Sequence, residues 1–82
     1  MRDNHEARRF ELDVAGQVVF ANYRRDEGTL FIDHVEAPSA LRGTGAAGAL
    51  MQAIVDQAQA EKRAIVPVCG YAAAWLRRHA AI

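Results

Sequence analysis

From Arg8 to Ala37 the side chains alternate between apolar and polar, and beyond Pro38 that alternation is gone. The break constrains the fold more than any other feature, because strand and helix periods cannot share one stretch of backbone. In Arg8–Val14, Phe10, Leu12 and Val14 face one way and Glu11 and Asp13 the other. Ala15–Gln17 reads as a short turn. Val18–Arg24 reads as a second strand, with Val19, Ala21 and Tyr23 opposite Val18, Phe20 and Asn22. Arg25–Thr29 is a second turn and Leu30–Ala37 a third strand, so short connections make an antiparallel meander. Pro38 and Ser39 end it. A helix is expected from about Thr44 to Lys62, with Ala47, Leu50, Met51, Ile54 and Ala58 in one apolar stripe. Ala64–Val68 is a continuous apolar run, typical of a buried strand. A last helix is expected over Tyr71–His79, with Trp75 in the core. Strand, helix, strand in that order implies a right-handed crossover to a parallel neighbour. The fold class is therefore α+β: an antiparallel β-meander, one β-α-β crossover and a C-terminal helix. The 82 residues hold no repeat and no linker, and 1–82 reads as a single domain.

Charge and cysteine content exclude several functions. Ten basic residues balance ten acidic ones, so nothing draws the whole molecule to nucleic acid or to an anionic membrane. An anionic ligand would need a local site. No apolar run approaches the roughly 20 residues of a membrane span. The start, with His5 in it, lacks the apolar stretch of a signal peptide and is expected to carry no specific role. A single cysteine, Cys69, excludes an internal disulfide framework and a cysteine-rich zinc site, and no metal is expected. It suits a reducing cytoplasm.

The local site is suggested by Leu41–Leu50, where two phosphate patterns overlap. Gly43–Gly48 spells G-x-G-x-x-G, the dinucleotide fingerprint, and Arg42–Ala47 spells R-x-x-G-x-A. The dinucleotide pattern needs an acidic residue at the end of the following strand, to hold a ribose. Here that strand ends in Val68-Cys69, while Glu61 falls near the end of the helix. It also needs several parallel strands, and only one parallel pair is available. A P-loop fails because no Gly-Lys-Ser/Thr follows. R-x-x-G-x-A fits: it follows a meander and opens the crossover helix. The first N–H groups of a helix are unpaired and its dipole favours an anion. Gly43, Gly45 and Ala47 let backbone come close to phosphate, and Arg42 adds a charge-assisted donor. The plain alternative is a Gly-rich turn that caps a helix.

In this context the loop resembles the acetyl-CoA site of the GNAT acetyltransferase superfamily. The ordered set F-E-L, G-Q-V, Y-R-R, H-V-E-A-P, L-R-G-T-G-A-A, V-P-V-C and A-A-W-L-R-R-H runs from about Phe10 to His79 and is similar to a very small single-domain GNAT-like subfamily. Gly70 and Lys62 depart from its pattern, which often has serine and glycine there. The resemblance implies a minimal GNAT-like fold and transfer of acetyl from acetyl-CoA to an amine, by a monomer or homodimer. It implies that Val35, Ala37, Arg42, Gly43, Thr44, Gly45, Ala46, Ala47 and Gly48 hold the cosubstrate, with backbone around Val35–Ala37 bonding the pantetheine amides.

Three further residues are candidates for chemistry. His34 and Glu36 are two apart and share a strand face with Leu30 and Ile32, expected to be the more buried face. Either is a candidate general base for an incoming amine, and the resemblance favours the glutamate; the alternative is a hydrogen-bonded pair that orders the strand end. Cys69 directly precedes a helix and is a candidate acyl acceptor, or simply a packed cysteine. Tyr71 is a candidate proton donor to the leaving thiolate, with a core or rim role as the alternative. Arg77, Arg78 and His79 form a basic helix end that would reach the 3′-phosphate of CoA or only suit a helix C-terminus. Pro67 lacks an N–H, so the parallel ladder should break there unless Pro67 lies on a sheet edge. A non-catalytic acyl-CoA-binding module would keep the loop without a productive base. The amine acceptor is not legible.

Overall fold

The structure is a computed structural model that describes residues 1–79; Ala80–Ile82, the end of the domain expected over 1–82, lie outside the described residues. Five strands form one sheet in chain order: β1 (Arg2–Asn4), β2 (Arg9–Val14), β3 (Gln17–Arg25), β4 (Thr29–Glu36) and β5 (Ala64–Pro67). Neighbours are antiparallel except β4 and β5, which run parallel. α1 (Ala46–Glu61) crosses from β4 to β5, and α2 (Gly70–His79) follows β5. This is the expected α+β order with one addition: the meander has four strands. β1 is polar throughout, so no periodicity announces it. Side chains hold it: Arg2 and Asn4 donate to Glu11, and Arg25 pairs with Asp3 at 2.8 Å. His5 lies 3.5 Å from the Asp3 carboxylate.

Both helices pack on one sheet face. Phe10, Val19, Ala21, Leu30 and Ile32 meet Leu50, Met51 and Ile54 of α1 and Ala72 and Trp75 of α2 in a single core. Among the described residues no helix covers the opposite face. There Glu11 accepts from Arg2, Asn4 and Arg9, and Arg24 donates twice to Asp33. The Arg9 and Arg24 guanidinium groups lie 4.4 and 4.5 Å over the Phe20 and Phe31 rings. Arginine stems shield apolar rings this way while the charge stays wet. The hydrogen bonds of Arg9, then Asn4 and Arg2, pull the Glu11 carboxyl down to about 2.

Three departures from the sequence expectations shape the site. First, β4 carries a β-bulge. Tyr23 pairs with Ile32 but Asn22 pairs with His34, which leaves Asp33 as the extra residue. One extra residue reverses the alternation beyond it. His34 and Glu36 therefore do not continue the buried row of Leu30 and Ile32; they emerge on the open face, and Val35 turns toward the core instead.

Second, Ala64–Val68 is not a buried strand. β5 is the sheet edge, and Val66 and Val68 are exposed. Pro67 does not break the ladder. Ala64 N–H donates to Gly28 O and Val68 N–H to Ile32 O, both at 2.9 Å, so even-numbered N–H groups face β4. Pro67 nitrogen therefore faces the free edge, where a missing donor discourages a further strand.

Third, α1 begins at Ala46 rather than Thr44, and Lys62 closes it in a left-handed conformation (φ 57°). Lys62 N–H bonds Gln59 O at 3.1 Å and Arg63 N–H bonds Ala58 O at 2.9 Å, the pattern of a Schellman cap with lysine where glycine is the usual occupant.

Candidate functional site

β4 and β5 run side by side only as far as Ile32 and Pro67. Val68 and Cys69 N–H groups then converge on Ile32 O, at 2.9 and 3.2 Å, and the chain turns into α2. Beyond that point β4 has no strand on its β5 side. The expected parting of the two strands is present, but its cause is the early turn of β5 and not the proline. The gap opens into a cleft of about 500 Å³. That is within the usual range for small-molecule sites.

β4 supplies one wall, with His34, Val35, Glu36 and Ala37. A single 3-10 turn, Ser39–Leu41, leads into the loop, and Arg42, Gly43 and Gly45 line the cleft from it. The first turn of α1 adds Ala46, Ala47 and Gly48. Gly43 and Gly45 have φ of 79° and 85°, which side-chain-bearing residues rarely adopt, and a Cβ at either would meet nothing within 4 Å. These glycines thus set the loop path and leave its surface bare. Thr44 is expected in the site but is not among the lining residues; its hydroxyl bonds Leu41 O at 2.5 Å and takes the Ala46 N–H at 3.3 Å. It shapes the loop from behind. The N–H groups of Gly45, Ala47 and Gly48 have no acceptor among the described residues, and the Arg42 side chain makes no ion pair there. Unpaired N–H groups at a helix start, beside a guanidinium, favour an anion.

Gly48 has a second constraint. A Cβ on it would lie 3.2 Å from Trp75 Nε1, so its lack of a side chain brings α1 and α2 together. Trp75 in turn stacks on His79 at 4.2 Å between ring centres, and His79 Nδ1 bonds Trp75 O at 2.9 Å. His79 is thereby turned toward the groove between the helices, and neither it nor Arg77 and Arg78 lines the cleft.

The candidate chemical groups divide. His34 Nε2 and Glu36 Oε1 are 3.0 Å apart, with side chains 54% and 57% exposed, at the mouth of the cleft on the open sheet face. Tyr71 stands on the rim. Cys69 is half-buried and outside the lining; its Sγ accepts the Ala72 N–H at 3.3 Å and caps α2. Leu41 completes the cleft and escaped the sequence reading. It is the one bulky apolar residue between Pro38 and the loop, and that isolation was its signal. No group of three metal-ligating side chains occurs among the described residues, and no described helix is long and apolar enough to cross a membrane.

The pattern of the family described as GCN5-related N-acetyl-transferase matches residues 9–82. No curated protein matches the chain.

Proposed function

The chain belongs to the GCN5-related N-acetyltransferase family, and we propose that it binds acetyl-CoA in this cleft and passes the acetyl group directly to an amine. One observation carries the reading: an unpartnered strand edge, the unpaired N–H groups of a helix start and Arg42 converge on the same cavity. Gly45, Ala47 and Gly48 N–H groups donate to the pyrophosphate, where the dipole of α1 also acts, and Arg42 adds a charged donor. The backbone of Val35 and Ala37 bonds the amides of the pantetheine arm.

Glu36, or His34 held by it, takes a proton from the acceptor ammonium. The freed nitrogen lone pair attacks the thioester carbonyl, the carbon–sulfur bond breaks, and the sulfur leaves as thiolate. Tyr71 on the rim is the hydroxyl placed to return a proton to it. Direct transfer is preferred to an acyl-enzyme on Cys69 because Cys69 is not among the lining residues. A reducing cytoplasm suits its free thiol.

Calorimetric titration with acetyl-CoA tests the binding step; no binding at millimolar ligand ends the reading. Arg42→Ala should weaken binding by about 1–3 kcal/mol, the cost of a charged hydrogen bond. Acetyl-CoA consumption across a panel of amines tests turnover. Binding without turnover for any amine would make the protein an acyl-CoA-binding module. Mass spectrometry decides the route: an acetyl adduct lost in Cys69→Ser, together with lost turnover, would replace direct transfer by the acyl-enzyme.

A further inference from the structure

The open sheet face is unevenly finished. Over β1, β2 and β3 its charges are paired in place, with Glu11 and Asp13 on Arg2 and Glu11 also on Arg9, and the Phe20 ring lies under Arg9. Over β4 and β5 the finish stops. Phe31 pairs across the ladder with Val66, which is 41% exposed, and Val68 is 55% exposed. Parallel strands are ordinarily covered on both faces, and an exposed apolar cluster rimmed by charge marks a contact site. The position matters as much as the exposure. Continuing the register of Thr29 with Ala64 and Ile32 with Pro67 sets Val68 level with the bulged Asp33, one residue from His34. The apolar cluster thus runs up to the mouth of the cleft, where the bulge has brought His34 and Glu36 to the same face.

Resting on the reading above, we propose that the acceptor amine is a lysine side chain presented by a polypeptide that lies across Phe31, Val66 and Val68. Three observations favour this occupant. The acceptor side offers His34 and Glu36 on an open face, and a small free amine is normally held in a concave pocket. The groups at the edge of the cluster nearest the cleft are the Glu36 and Asp33 carboxylates, which complement a lysine ammonium. The uncovered area is a few side chains, whereas a stable dimer buries roughly 800 Å² per partner. It therefore suits a transient substrate and not a second copy of this chain. Apolar residues beside the acceptor lysine would rest on Val66 and Val68, and the lysine would extend past Asp33 to Glu36.

The test compares two defined acceptors with acetyl-CoA as donor: the single residue Nα-acetyl-lysine amide, and peptides of about ten residues with valine or leucine flanking one lysine. The expected result is a kcat/KM at least tenfold higher for the apolar-flanked peptide than for the single residue. Val68→Asp and Val66→Asp should remove that advantage while leaving acetyl-CoA affinity and single-residue turnover unchanged. The proposal is overturned if the peptide is no better than the single residue. It is equally overturned if the valine variants slow both acceptors alike. Failure of acetyl-CoA to bind at all would instead overturn the reading it rests on. A dimer in solution that dissociates in Val68→Asp would assign the surface to a second copy and overturn the proposal.

Discussion

Glu61→Gln should destabilise the fold by an amount that depends on pH. Glu61 ends α1 and accepts two hydrogen bonds from Arg25, at 2.9 and 2.6 Å, one from Gln57 at 2.7 Å, and one from Arg63. Arg25 also holds Asp3 of β1 and the Tyr23 hydroxyl, so this one carboxylate ties the first strand and the sheet to the end of the crossover helix. Its side chain is 17% exposed. Chiefly because of the Arg25 hydrogen bonds, its carboxyl is lowered from 4.5 to about 2. The folded value lies below the unfolded one, so the stabilisation is present above pH 4.5 and is lost as pH falls toward 2. A displacement of that size corresponds to about 3 kcal/mol at neutral pH. At pH 3 the unfolded carboxyl is mostly protonated and the folded one is not, so roughly 1 kcal/mol remains. Urea denaturation of wild type and Glu61→Gln at pH 7 and pH 3 reads both numbers. The low carboxyl of Glu11 contributes to each protein and cancels in the difference. A gap between the two proteins that is equal at both pH values would refute the ion pair as the source.

Lys62→Gly should raise stability by about 1 kcal/mol, since glycine relieves the left-handed strain at the end of α1; an unchanged or lower melting temperature would count against the cap assignment. Gly45→Ala should cost about 1–2 kcal/mol through backbone strain alone, because its Cβ meets no neighbour, and should weaken acetyl-CoA binding by more than the melting shift implies. Thermal melts and calorimetry together separate those effects, and full affinity in a destabilised variant would remove Gly45 from the site. Pro67→Val restores an N–H on the free edge of β5, so donor binding should stay constant while self-association at high concentration rises in sedimentation; impaired donor binding would mean that Pro67 shapes the cleft.

Much of this fold is written in local pattern. The rows Phe10–Leu12–Val14 and Val19–Ala21–Tyr23 are strands because their alternation leaves one face to bury, and the stripe through Leu50, Met51 and Ile54 buries against it. The loop was legible because glycine at positive φ and an unpaired helix start are properties of a few consecutive residues. What was not legible depends on partners distant in sequence. β1 has no apolar row and exists through Arg2, Asp3 and Asn4, whose partners lie on other strands and on Arg25. Ala64–Val68 has the composition of a doubly covered strand, but whether anything covers it is decided by the sheet order. The bulge at Asp33 is the most consequential miss. Nothing in the alternation of Leu30–Ala37 signals an extra residue, because the count that matters is taken against β3. Without it, His34 and Glu36 would be two buried polar groups needing internal partners. With it, they become the exposed pair at the mouth of the cleft, and one unpaired residue moves the candidate chemistry from the core to the face an acceptor can reach.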